Sequence, residues 1–81
     1  MEPELFSKPA VLNWDSVIHK GARTKDGIPL GYIAADDEEF IYVLSSRSRE
    51  YRIPKSHVTD FDGSVVLLDL QFSYLEGYEI R

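Results

Sequence analysis

The chain reads as an all-β domain, a small antiparallel β-barrel of about six short strands, and three observations predict it. Asp-Gly steps stand at Asp26-Gly27 and Asp62-Gly63, each between apolar runs, and this dipeptide is the strongest short-range hairpin signal. Between them, "LGYIAA", "EFIYVLSS" and "REYRIP" are rich in β-branched and aromatic residues and are separated by short polar clusters. With 81 residues there is room for one domain only, and short strands at close, even spacing in so small a chain predict a closed or nearly closed sheet. The division that follows is a lead-in over 1–15, a barrel over 16–70 and an apolar, aromatic tail over 71–81.

In chain order, the lead-in carries Leu5, Phe6, Val11, Leu12 and Trp14, and the large Trp14 indole is expected to plug one barrel mouth. "GARTK" joins "IPLGYI" through the first Asp-Gly turn; Pro29 has no amide hydrogen, so its strand must begin at an edge or beside a bulge. The acidic turn "DDEE" leads into the next strand, with Ile33 set against Tyr42, Ala35 against Phe40 and Gly31 against Leu44, where glycine permits a sharp bend. A turn centred on Arg47 and Ser48 then pairs Leu44 with Tyr51 and Tyr42 with Ile53 inside, and Val43 with Arg52 and Ser45 with Glu50 outside. That register separates large apolar from polar side chains, which a slip of one residue would undo. Pro54 ends the strand, "KSH" makes one turn, Val58 re-enters the sheet, and "VTDF" joins "SVVLLDL" through the second Asp-Gly turn.

Composition narrows the function classes. At 43% hydrophobic and 28% charged the chain is an ordinary globular domain rather than a disordered one. It contains no cysteine, so disulfides and thiolate metal sites are excluded, and a thin core must be stabilised by packing or self-association. No apolar run reaches the roughly 18 residues of a membrane span, and the start "MEPELFSKPA" has no signal-peptide core, so a cytoplasmic protein is expected without membrane insertion. The net charge of -5 disfavours sequence-independent nucleic-acid binding. Charge nevertheless alternates along the chain, with Asp36 to Glu39 acidic and the stretch from Arg47 to Lys55 basic.

The run "GARTKDGIPLGYI", the hairpin after it and "YRIPKSHVTDFDGSVVLLDL" resemble the PRC-barrel family. Its pattern is a Gly-containing start, a polar Asp-Gly, a Gly-x-hydrophobic strand, an aromatic-x-Ile-Pro, then Val and a final apolar strand. The resemblance covers roughly residues 16 to 70 and is similar to that of small single-domain prokaryotic members. The family also includes a domain of the photosynthetic reaction-centre H subunit and one of a ribosome maturation factor. What the resemblance implies is a barrel fold and a non-catalytic role.

Ser56, His57 and Asp60 have the residue types of a nucleophilic triad, but such triads are assembled in space with an oxyanion hole, and adjacency supplies neither. No catalytic residue is therefore assigned. His19 and His57 are the only histidines, and Asp36, Asp37, Glu38 and Glu39 lack the spacing and central glycine of a calcium loop. No glycine loop opens a helix that would cradle a phosphate, and neither metal nor cofactor is expected.

The basic set Lys20, Arg23, Lys25, Arg47, Arg49, Arg52 and Lys55 clusters at two hairpins. It reads either as solvated strand edges or as a docking site for an acidic partner or RNA, for which Arg23, Arg47, Arg49, Arg52 and Lys55 are the candidates. With Phe40, Tyr42 and Tyr51 assigned inward, no exposed aromatic platform is expected. "SVVLLDL" is apolar on both alternating faces, so one face needs a cover beyond the barrel interior. The candidates for contact with a second copy or a protein partner are Val66, Leu68, Leu70, Phe72, Tyr74, Leu75 and Tyr78, and the tail is free to pack in cis, across a dimer or on another protein. The expectation is a non-catalytic protein-interaction or assembly module acting as a homodimer; the alternative is an RNA- or ribosome-associated assembly factor.

Overall fold

In a computed structural model, residues 11–45 and 47–80 are described, and the strands among them form a single mixed sheet. They are β1 (Gly21–Arg23), β2 (Pro29–Asp36), β3 (Phe40–Leu44), β4 (Glu50–Pro54), β5 (Val58–Phe61), β6 (Val65–Leu68) and β7 (Glu79–Ile80). Their order across the sheet is β5-β6-β1-β2-β3-β4-β7. The all-β expectation holds, but closure does not: β5 and β7 end the sheet and the barrel is open. Nor is the sheet wholly antiparallel, because β1 lies parallel to β6, with Gly21, Ala22 and Arg23 beside Val65, Val66 and Leu67. A parallel neighbour is reached only through a long connection, here all of β2 to β5, and no local pattern announces it.

Both Asp-Gly turns form as expected. Gly27 and Gly63 take φ of 86° and 96°, which a side chain would resist. At the first turn the buried Thr24 hydroxyl donates to Asp26 and accepts the Ile28 amide at 3.0 Å. At the second, Asp62 accepts the amides of Ser64 and Val65, both at 2.8 Å. Beside Pro29, β1 and β2 carry the anticipated bulge, between Ala22 and Arg23.

The β3–β4 register differs from expectation by one residue, and the β2–β3 register by one before its bulge and by two beyond it. β3 pairs with β4 as Ile41 with Ile53, Tyr42 with Arg52, Val43 with Tyr51 and Leu44 with Glu50. The cause lies in the connection. Ser48 adopts φ of 63° and its amide donates to the Ser45 carbonyl at 3.0 Å, while the Ser45 hydroxyl accepts the amides of Arg47 and Arg49. A turn followed by a left-handed residue adds a residue to the loop and moves the pairing by one. β2 then pairs Tyr32 with Leu44 and Ile33 with Val43, and a bulge at Ala34 carries Ala35 to Tyr42. Since side chains alternate with period two, these shifts turn β3 over, while Ile33, Tyr51 and Ile53 stay on the inner face as expected. Ile33, Ile41, Val43, Tyr51 and Ile53 turn inward and are buried, while Phe40, Tyr42 and Leu44 turn outward.

The inner face buries Ala22, Leu30, Val58, Val66 and Leu68 with those residues in one core. Each fully buried Ile or Val contributes about 1.5–3 kcal/mol relative to exposure. Short 3-10 turns cover the core. Trp14–Val17, capped by the Asn13 side chain on the Asp15 amide at 3.0 Å, adds Val17, and the preceding segment adds Val11. Lys55–His57 forms the single turn read from "KSH". Phe72–Tyr78 adds Leu75 and leads into β7, which pairs with Glu50 and Tyr51 of β4. Trp14 plugs no barrel mouth; it packs half-buried against the core with the Lys55 ammonium 4.6 Å from its ring. Leu5 and Phe6 of the lead-in lie outside the described residues.

Candidate functional site

The tail packs in cis. Val66, Leu68, Leu70 and Leu75 are buried in this chain's own core, which corrects their assignment to an outward contact face: β6 turns Val66 and Leu68 in and Val65 and Leu67 out. Of the remaining tail candidates, Tyr78 is half-buried against the core, whereas Phe72 and Tyr74 are exposed. Two fastenings hold the tail. At one end the Asp26 carboxylate accepts the Phe72 amide at 3.1 Å, and the Lys25 amide donates to the Leu70 carbonyl at 2.8 Å. At the other, His57 Nδ1 lies 2.7 Å from the Asp69 carboxylate and Nε2 lies 3.4 Å from the Tyr78 hydroxyl, with the two rings edge to face. His57 is thus engaged by Asp69 and Tyr78 rather than by Ser56 and Asp60, and its ring ties Asp69, just before the tail, to Tyr78 near its end.

The basic set divides. Arg23 donates to the Gly27 carbonyl at 3.1 Å. Lys55 forms a 2.9 Å ion pair with Asp36, and the Arg52 guanidinium stacks 4.8 Å from the Phe40 ring. Arg47 and Arg49 alone share a pocket, a hollow of about 450 Å³ between the start of β2, the β3–β4 connection and the tail. Its floor and walls include Ile28, Pro29, Tyr51 and Phe72, and among the described residues the two arginines are its only charged lining residues. Arg49 donates a long hydrogen bond to its ion-pair partner Glu79 at 3.5 Å, from a largely exposed position.

The outward face of the sheet carries a second surface. One row of paired positions runs through Val65, Gly21, Tyr32, Leu44, Glu50 and Ile80, from β6 across to β7. Glu50 is its only charged member. Tyr32 and Ile80 are 43% and 41% exposed, and Leu67 stands beside the row at 37%. Phe40, Tyr42 and Arg52 flank it and line a hollow of about 430 Å³ with Ile80. The expected absence of an exposed aromatic surface is therefore corrected, for the same reason as the register. Sequence reasoning passed over Tyr32 and Ile80 as candidates; the signal for Tyr32 is its alternation with the inward Ile33.

Electrostatics here serve the architecture. Asp37 caps the acidic turn, accepting the amides of Glu39 and Phe40 and the Tyr42 hydroxyl at 2.6 Å. The Tyr42 hydrogen bond, then those amides, hold the Asp37 carboxyl below its ordinary pKa, and the same bond raises that of Tyr42. The Thr24 hydroxyl, aided by the Phe72 amide and opposed by partial desolvation, lowers Asp26. Among the described residues no group of three or more His, Asp or Glu side chains is arranged to hold a metal, and no helix is long and apolar enough to cross a membrane. No family model, curated protein or solved structure matches the chain.

Proposed function

We propose that this chain is a non-catalytic protein-interaction module that self-associates through the outward face of its sheet. The observation that carries the reading is the row from Val65 through Tyr32 and Leu44 to Ile80, an apolar band crossing six strands with one charge in it. A sheet face turned to water ordinarily alternates to polar residues, and contiguous apolar surface on a small domain marks an interaction site. A two-fold dimer uses the same patch on both copies, which suits a band spanning the sheet. The PRC-barrel resemblance of residues 16 to 70 supports the same class of role. Light scattering after size exclusion tests it. The intact chain is expected to be dimeric at micromolar concentration, and Tyr32→Glu with Ile80→Glu monomeric and folded; a monomeric intact chain at high concentration refutes self-association.

A second reading, RNA association, is favoured by Tyr32, Phe40 and Tyr42 on the open face beside Arg52, since bases stack on such side chains. Against it stands the acidic turn Asp36 to Glu39 at the end of the same hairpin. A strongly salt-dependent mobility shift with bulk RNA, abolished by Tyr32→Ser, would make it the better reading.

A further inference from the structure

We infer that the pocket between the start of β2, the β3–β4 connection and Phe72 is a binding site for an acidic peptide segment of a partner protein, one that places carboxylates beside a large apolar side chain. The inference deepens the interaction-module reading by naming a partner class, and it concerns a different surface from the outward row.

Charge complementarity selects the ligand. Among the described residues Arg47 and Arg49 are the only charged ones lining the hollow, in a chain whose net charge is -5. Positive charge is thus concentrated where the rest of the molecule is acidic. Arg47 is exposed and has no ion pair among the described residues, so its guanidinium is available without displacing anything. Arg49 holds Glu79 only at 3.5 Å, a separation from which a well-placed carboxylate can take over. Planar guanidinium groups bind carboxylates through paired N–H donors, with geometric selectivity that a lysine lacks.

The apolar half of the ligand is chosen by the walls. Ile28 and Phe72 are 39% and 44% exposed, yet they face a common hollow of about 450 Å³, large enough for an aliphatic or aromatic side chain. The pocket is also firmly built. Phe72 is held by its amide on Asp26, and Ile28 by its amide on the buried Thr24 hydroxyl, so both walls hang from one turn. A preformed pocket loses little entropy on binding.

The test uses the full chain and an N-terminally fluorescein-labelled peptide of two glutamates followed by leucine and phenylalanine, amidated at its C-terminus. Fluorescence anisotropy is expected to show saturable binding. Arg47→Glu should weaken it by about tenfold or more, and Phe72→Ala severalfold, while Lys20→Glu, at an exposed cation that does not line the pocket, leaves it unchanged. A peptide with glutamines for glutamates should fail to bind, as should one with serines for leucine and phenylalanine. Equal weakening by Arg47→Glu and Lys20→Glu would reduce the effect to bulk charge and overturn the inference. So would equal binding of the glutamine peptide, the absence of saturable binding, or displacement by an oligouridylate in preference to the peptide. Dimerisation through the outward face with no peptide binding removes this inference alone; peptide binding by a monomer removes only the self-association reading.

Discussion

Gly31→Ala is the substitution that most directly interrogates the β2–β3 register. A Cβ built at Gly31 lies 2.2 Å from the Leu44 carbonyl oxygen and 2.8 Å from both the Leu44 carbonyl carbon and the Ser45 Cα. Unbonded carbon and oxygen approach to about 3.3 Å, so the methyl group is roughly 1 Å too close to backbone that no side-chain rotation can move. Relief requires β2 to part from β3 beside the Tyr32 and Leu44 pair, disturbing the row that depends on it. The expected loss is about 3–5 kcal/mol, at the far end of single-substitution effects. An 81-residue domain has about 4–12 kcal/mol in all at roughly 0.05–0.15 kcal/mol per residue, so the loss removes a large share of the total and unfolds the variant in buffer if the parent lies at the low end of that range. Two other glycines calibrate the measurement. Gly27 has open space but φ of 86°, so Gly27→Ala should lose about 1–2 kcal/mol from backbone conformation alone. Gly77 has open space and no positive φ, and Gly77→Ala should fall within about 0.5 kcal/mol of the parent. Urea denaturation followed by circular dichroism ranks the three. If Gly31→Ala lies within about 1 kcal/mol of Gly27→Ala, β2 does not meet β3 as described.

Register also predicts that Ile53→Ala loses about 2–5 kcal/mol as a buried truncation whereas the outward Tyr42→Ala loses about 1 kcal/mol; the reverse ranking in urea melts would restore the register first read from the sequence. Thr24→Val removes the acceptor for the Ile28 amide and the donor to Asp26, and should lower stability by about 1–3 kcal/mol; thermal melts unchanged from the parent would show that the buried hydroxyl is dispensable. Asp26 and Asp37 have depressed pKa values in the folded chain, so their contribution is complete above the ordinary carboxylate value and is lost as pH falls through the folded value. Asp26→Asn with Asp37→Asn should therefore flatten the acid side of a stability-against-pH curve, and an acid limb as steep as the parent's would exclude these groups as its source.

The parts of the fold legible in the sequence are those whose chemistry is local. Asp26-Gly27 and Asp62-Gly63 announce turns because a left-handed residue after an aspartate admits little else, and both form. The β3–β4 connection hid its length because the left-handed position is filled by Ser48, a residue that does not advertise it. "FIYVL" is apolar at every position, so hydrophobic pattern alone fitted either face, and the loop length decided. The open sheet was illegible for a different reason: β1 beside β6 is a contact between residues far apart in sequence, and closure is a property of such contacts. At the candidate site the basic cluster was visible as composition, but its division was not, because only folding takes Lys55 to Asp36 and Arg52 to Phe40 while leaving Arg47 and Arg49 together.

The two proposed surfaces share β4 yet remain experimentally separable, and the alternation of side chains along a strand is the reason. Tyr51 and Ile53 point to the inner face, where Tyr51 also lines the arginine pocket, while Glu50 and Arg52 point outward to the apolar row and its flank. Arg52 substitutions therefore act on the outward face and Arg47 substitutions on the pocket, with the strand between them intact. β7 is where this independence ends. Its two residues place Ile80 in the outward row and Glu79 against Arg49, and they pair with Glu50 and Tyr51 of β4. A carboxylate ligand that draws Arg49 from Glu79 acts on the strand that also presents Ile80, and by thermodynamic reciprocity any effect of peptide on dimer affinity must equal the effect of dimerisation on peptide affinity. Measuring both with the intact chain and with Glu79→Gln shows whether β7 links the surfaces: equal, nonzero shifts that vanish in Glu79→Gln establish the link, and zero shift in the intact chain shows two independent sites.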